Sequence, residues 1–170
     1  LSKYAPFKSF DGTDLEAMGT VGVEKTVKKD ELVFDEDSKG DSMYVIKSGA
    51  VKIVKKVKNQ ENTIAVLNPG EFFGEMALLD GLPRSAAVKA TGDSELYMIS
   101  LDGYQKLRKE KPHTALKLMD IIIKVLFNRL RQGCAAVACL VLFRMFLGCH
   151  PAPEGGDARW TAGHRPRPIE

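Results

Sequence analysis

Apolar and polar residues change their period along this chain, and the changes mark its elements. Between residues 21 and 90 the pattern is one of short strands and turns. Val23, Thr26 and Val27 open it, residues 31–34 form a short strand, and residues 35–41, with Gly40, form a polar turn. Residues 43–46 and 50–57 read as two strands about a turn at Ser48 and Gly49. Residues 59–62 predict a hairpin turn and residues 63–67 the returning strand. Residues 86–90 and 95–100 add two more strands, joined through residues 91–94. Upstream, residues 14–18 predict a short helix with Thr13 or Asp11 as its cap. Beyond Ser100 helical spacing takes over. Residues 101–109 predict one helix and residues 113–131 a longer one, entered after Pro112. In the second, Leu116, Met119, Ile122, Ile123, Leu126 and Leu130 recur at i, i+3, i+4 and i+7 intervals. So many short strands suggest a sandwich, roll or barrel. The predicted fold class is mainly β with flanking helices.

From about residue 133 the composition changes. All 17 lysines lie before that point, whereas Cys134, Cys139, Cys149, Trp160, His150 and His164 lie after it. Residues 134–149 are apolar except Arg144, a run short of the ~18 residues a membrane span requires. Residues 150–170, rich in proline, glycine and arginine, are expected to be disordered. The chain is therefore expected to comprise a folded domain over 1–132 and an atypical tail over 133–170. Three readings of the tail compete: an extension of the long helix into a dimer seam, a truncated or atypical membrane segment, or a shifted reading frame or fusion. The abrupt break favours the third.

The 170 residues suffice for one domain with a core. A net charge of +3 calls for neither a nucleic acid nor a membrane, and the lysine run at 52, 55, 56 and 58 reads as the solvated face of a hairpin. The first residue is Leu1 and residues 1–10 lack the apolar stretch of a signal peptide. The cysteines show no metal-site spacing, which suits a reducing, cytoplasmic setting. No enzyme chemistry is expected. The predicted strands hold no histidine for a metal-dependent β-roll enzyme, His113 opens the last helix, and neither a phosphate-binding Gly-Lys loop nor a serine elbow occurs.

The candidate chemistry lies in Phe73-Gly-Glu-Met-Ala-Leu-Leu-Asp-Gly-Leu-Pro-Arg-Ser-Ala-Ala-Val-Lys-Ala90. Gly74, lacking a Cβ, lets ligand oxygens approach its backbone. Residues 75–79 predict a short helix stopped by Gly81 and Pro83. Its first N–H groups lack internal partners and favour an anion. Arg84 adds a fork of donors matched to two phosphate oxygens. Ser85 adds a hydroxyl, and the Ala86 N–H follows. Glu75 would repel a phosphate, so its natural partner is a sugar hydroxyl. These parts suit a small ligand bearing both a phosphate and a ribose.

Their order resembles the phosphate-binding cassette of the cyclic-nucleotide-binding domain family, from Phe73, Gly74, Glu75, Ala77 and Leu78 to Arg84, Ser85, Ala86, Val88 and Ala90. The resemblance extends over about residues 4–132. It includes the glycine-turned strand pair at 43–54, the Leu-Asn-Pro-Gly-Glu-Phe turn at 67–72 and the Tyr-Ala-Pro-Phe segment at 4–7. One departure is Asp30, where a turn glycine is usual. The resemblance implies a β-roll with an internal cassette helix and two C-terminal helices. It implies a ligand, cAMP more readily than cGMP, held between the roll and the last helix. Phosphate would meet Arg84, Ser85 and Ala86, and ribose Gly74 and Glu75, with Phe73, Met76 and Ala77 completing the binding set. Ile53, Ile64 and Leu67 would wall the base pocket, with Asn128, Arg129 or Arg131 closing it as the last helix moves. It further implies no cofactor or metal, a homodimer through the C-terminal helix, an effector domain outside this chain and no direct contact with nucleic acid. A docking module of the same fold that binds no nucleotide, and a transcription-regulator fragment without its helix-turn-helix, are the alternatives.

Overall fold

The computed structural model describes residue 1, residues 4–58 and residues 60–147, with backbone alone at 5, 77 and 133–147. It divides into two compact units, Leu1–Asn128 and Arg129–Glu170. After a 3-10 turn at Ala5–Phe7 come α1 (Gly12–Val21), β1 (Gly22–Val27), β2 (Leu32–Phe34), β3 (Ser42–Ser48), β4 (Val51–Val57) and β5 (Gln60–Leu67). Then follow β6 (Phe72–Phe73), α2 (Glu75–Asp80), β7 (Ala87–Ala90), β8 (Ser94–Ser100), α3 (Leu101–Glu110) and α4 (Pro112–Leu147). The strands form two four-stranded antiparallel sheets, ordered β1-β8-β3-β6 and β2-β7-β4-β5. Strands far apart in sequence thus become neighbours, and the short β2 and β7 segments flanking the cassette pair directly.

Two apolar clusters hold the first unit together. Val27, Ile46, Val51, Val88, Ala90 and Leu96 pack between the sheets. Phe7, Met18, Met43, Phe72, Leu107, Leu118 and Ile122 pack the roll against its helices. Each fully buried Leu, Ile, Phe or Met contributes about 1.5–3 kcal/mol relative to exposure. The Tyr97 hydroxyl donates to the Met18 carbonyl, so α1 is also tied to β8 by a buried polar contact.

A polar latch joins α1 to α4. Asp11 caps α1 and forms a reciprocal capping box with Asp14. Asp14, 1% exposed, accepts from Thr114 Oγ1 at 2.6 Å and from Lys117 Nζ at 2.5 Å. Burial alone would raise the Asp14 carboxyl; the hydrogen bonds from Lys117, Thr114 and the Asp11 N–H outweigh it and hold the group below its ordinary value. A carboxyl lowered in the folded state stabilises fully above its unfolded pKa, about 3.9, and that stabilisation drains as pH falls through the folded value. Asp14→Asn should therefore lower the melting temperature at pH 7, and should lose less of it between about pH 5 and pH 3 than the wild type. Circular-dichroism melts of both proteins check this; parallel acid slopes would refute it.

The structure departs from the sequence expectations in the hairpin and in the long helix. The hairpin turn expected at 59–62 is tighter, because Val57 pairs with Gln60 and the ladder runs on through Glu61 and Asn62. Those polar residues lie on an exposed extension of the hairpin, where polarity alone does not separate turn from strand. The long helix continues to Leu147, beyond the expected end at Arg131. Its apolar residues form two faces rather than one: Ala115, Leu118, Ile121 and Ile122 are buried, while Leu116, Ile123, Phe127 and Leu130 are exposed. Asp30 takes φ +64° in the turn before β2, the left-handed conformation that favours glycine. No helix among the described residues is long and apolar enough to cross a membrane. The expectation of a disordered tail at 150–170 falls outside the described residues.

Candidate functional site

β6 ends at Phe73 and α2 begins at Glu75, so Gly74 is the hinge between strand and helix. It adopts φ +77°, which L side chains rarely take. Its carbonyl accepts from Arg84 Nη1 at 2.9 Å, while Arg84 Nη2 reaches Ser42 Oγ at 3.1 Å. The guanidinium also lies over the Phe34 ring, 4.1 Å from its centroid, a cation–π contact. Arg84 is only 3% exposed, and its Nε is buried with no hydrogen-bond partner among the described residues. Burial holds the Arg84 guanidinium below its ordinary value, partly offset by Tyr44, Asp41 and Glu75. A buried donor left unpaired on a charged group costs on the order of 1–3 kcal/mol or more. Such a cost makes this position a functional-site candidate. Glu75, 4% exposed, heads α2 beside it.

The backbone around Arg84 is fixed from outside the cassette. Asp37 N–H donates to the Arg84 carbonyl, and Arg84 N–H donates to the Ser38 carbonyl, both at 2.9 Å. One residue further on, the Ser85 carbonyl accepts from Lys55 Nζ at 2.9 Å. The loop after β2 and the strand β4 thus clamp the segment that carries Arg84, Ser85 and Ala86. Ser85 is exposed and Ala86 half-buried.

The remaining sequence candidates divide. Phe73 sends its side chain into the core, 2% exposed and stacked on Tyr44 at 5.2 Å between centroids, so only its backbone lies at the hinge. Met76 is exposed, and the Ala77 side chain lies outside the described residues. Leu67 and the half-buried Ile53 pack in the cluster between the sheets. Ile64 corrects the expectation that it faces the interior, since it is 61% exposed. Leu67 faces inward and side chains alternate along β5, so Ile64, three positions away, points to the other face; it is also the extra residue of a bulge, since Ile53 pairs with Ala65 and Val54 with Thr63. Asn128 is exposed at the end of the first unit, and Arg129, half-buried, belongs to the second.

Sequence reasoning missed Ser42, Phe34, Lys55 and the loop at Asp37 and Ser38. Ser42 and Phe34 carry no local signal, because they reach Arg84 only once β2 and β3 fold over the cassette. Lys55 was hidden in a run of lysines; the structure pairs it with Glu36 at 2.9 Å and Lys56 with Asp35 at 3.8 Å.

On the far side of α2, a groove of about 630 Å³ is walled by Leu78, Leu79, Tyr104, Leu116 and Met119. It places the cassette helix next to α3 and the first turns of α4. Among the described residues no group of His, Cys, Asp and Glu is arranged to hold a metal ion.

Comparison with known proteins agrees with this architecture. The family model of the cyclic nucleotide-binding domain matches residues 24–111, just over half of the chain. The cyclic AMP receptor protein of Thermus thermophilus is 35% identical over 102 residues, which are 59% of this chain and 45% of that protein. The cAMP-dependent protein kinase regulatory subunit of Yarrowia lipolytica is 35% identical over 83 residues, 49% of this chain and 22% of that one. The chain therefore spans less than half the length of these curated relatives. A crystal structure of a cyclic nucleotide-binding domain from Methylobacillus flagellatus superposes with a TM-score of 0.73 at 25% identity, covering 81% of this chain and 78% of that one. The catabolite activator protein of Thermus thermophilus superposes with a TM-score of 0.68 at 28% identity, covering 80% and 62%. With its β-roll, internal cassette helix and flanking helices, the chain belongs to the cyclic nucleotide-binding domain family.

Proposed function

We propose that this chain is a cyclic-nucleotide sensor, selective for cAMP over cGMP, that turns ligand binding into movement of α4 and catalyses no reaction itself. The observation that carries the reading is the buried Arg84 guanidinium, held by Gly74 and Ser42 with its Nε unpaired. A ligand phosphate would supply the charge and the acceptors that this group lacks. In this reading the phosphate meets Arg84, Ser85 and Ala86, and the ribose meets Glu75 and Gly74. Ile53 and Leu67 wall the base, and Asn128 closes it. The preference for cAMP is supported by two relatives, a cyclic AMP receptor protein and a cAMP-dependent protein kinase regulatory subunit. Competition by unlabelled cAMP and cGMP against a fluorescent cyclic nucleotide measures that preference directly; tighter binding of cGMP would reverse it.

Two features support movement of α4. The groove beside α2 leaves room between the cassette helix and α4, and the Asp14 latch gives α4 a defined resting position. A ligand shifts such an equilibrium only by its differential affinity for the two positions. Hydrogen exchange at residues 112–128 should change on saturation with cAMP; unchanged exchange would remove the coupling from the account.

The exposed face of α4 supports a homodimer. Leu116, Ile123, Phe127 and Leu130 follow intervals of seven, four and three, the spacing of a coiled-coil seam. The partner in this reading is a second copy of the chain, and light scattering of the purified protein distinguishes dimer from monomer. Control of an effector by α4 and a cytoplasmic setting complete the proposal.

A further inference from the structure

We infer that Lys55 is a second cationic determinant of the anion site, held in place by Glu36; the inference rests on the cyclic-nucleotide reading above. Lys55 lies on β4, beside the cassette exit, where Val54 pairs with Ala87. Its ammonium donates to the Ser85 carbonyl at 2.9 Å and lies 2.9 Å from Glu36 Oε1. The other Glu36 oxygen, Oε2, accepts the Lys56 N–H at 3.2 Å. The carboxylate is therefore gripped at both ends, and its hydrogen bonds with Lys55 and Lys56 hold it below its ordinary pKa. An ammonium has three N–H donors. Two are used in the contacts described, and the third is left for an incoming anion.

The charge balance of the loop gives this lysine its purpose. Residues 35–37 are Asp-Glu-Asp, and the loop is bonded directly to the Arg84 backbone. Carboxylates on a loop bonded to the Arg84 backbone repel an anion bound there unless cations offset them. Lys55 and Lys56 supply that offset through Glu36 and Asp35. Lys55 alone also touches the cassette backbone. It therefore acts twice: it orients the Ser85 carbonyl, and with it the Ser85–Ala86 peptide plane, and it adds positive charge next to the phosphate position. Its side chain is 47% exposed, so the electrostatic part of its effect is screened by salt.

The experiment is cAMP titration of the full chain at about 50 mM and about 500 mM salt, a range over which the Debye length shrinks several-fold. Wild type, Lys55→Gln and Lys55→Arg are compared, with melting curves confirming that each folds. Lys55→Gln should weaken binding about tenfold at low salt and only about two- to threefold at high salt, because the lost charge counts most when unscreened. Lys55→Arg keeps the charge and should stay within about threefold of wild type at both salts. If the folded Lys55→Gln protein binds as wild type does at both salts, or if its loss is the same at both salts and arginine does not rescue it, the inference falls while the sensor reading stands. If the folded wild type binds neither cAMP nor cGMP, both fall.

Discussion

Arg84→Ala should weaken cyclic-nucleotide binding by about 100-fold or more while leaving a folded protein. A charge-assisted hydrogen bond is worth about 1.5–3 kcal/mol, and a forked arginine–phosphate contact makes two. A pair of that kind reaches two or more decades in affinity. Stability should respond differently. The protein buries this guanidinium with its Nε unpaired among the described residues, and desolvating a charge offsets most of what its contacts return. The hydrogen bonds to Gly74 and Ser42 and the stacking on Phe34 would be lost, together with the cost of burying the cation. A shift of a few degrees in melting temperature, against a hundredfold loss of binding, is the expected signature. Arg84→Lys should recover only part of the affinity, because an ammonium cannot reproduce the fork. Titration calorimetry of the three proteins checks both statements; affinity retained in Arg84→Ala would remove this residue from the site.

Gly74→Ala should be nearly as damaging to binding, by a different route. A Cβ at this position would stand 2.7 Å from Arg84 Nη1 and 3.1 Å from the Ser42 carbonyl. The residue also sits at φ +77°, where a side chain costs on the order of 1 kcal/mol or more. The Ser42 carbonyl is backbone and gives little, so the arginine must move. Affinity should fall by at least about tenfold, with about 1–3 kcal/mol of stability lost. The two effects separate experimentally: urea melts report the backbone strain, and calorimetry reports the displaced guanidinium. Wild-type affinity in a destabilised variant would mean that Arg84 moves freely on binding, contrary to the clamped geometry described above.

Much of this site was legible in the chain because its parts are local. Gly74, Glu75 and Arg84 lie within eleven residues, and the chemistry of a glycine hinge, a short helix and one forked cation follows from their order. The element sequence was legible for the same reason, since strand and helix periodicities are short-range. What escaped depends on long-range folding. Ser42 and Phe34 meet Arg84 across 42 and 50 positions of chain, and no pattern near either one announces it. Ile64 failed because it cannot share a face with Leu67, an odd number of residues away on one strand, and only the sheet pairing shows which of the two faces the core. On α4, spacing identified six apolar residues but not which faced the core. Leu116 and Ile122 both fit the helical pattern, yet one is exposed and the other buried, because two apolar faces overlap on one helix.

The best-defined contacts of the candidate site lie around Arg84 rather than around Ile53 and Leu67. There the loop after β2, strand β4 and the cassette converge on one short segment of backbone. Asp37, Ser38 and Lys55 fix the Arg84 and Ser85 peptide groups through bonds within the chain. Preorganisation of that kind reduces the ordering cost of binding. The base side, by contrast, depends on α4, whose position the ligand itself is proposed to alter.

The central claim is that the Arg84 pocket binds a cyclic nucleotide, and isothermal titration of the full chain with cAMP tests it most directly. The account predicts saturable one-site binding in the micromolar range or tighter, about 8 kcal/mol or more of binding free energy. Heat indistinguishable from dilution with both cAMP and cGMP, from a sample shown to be folded, would contradict it.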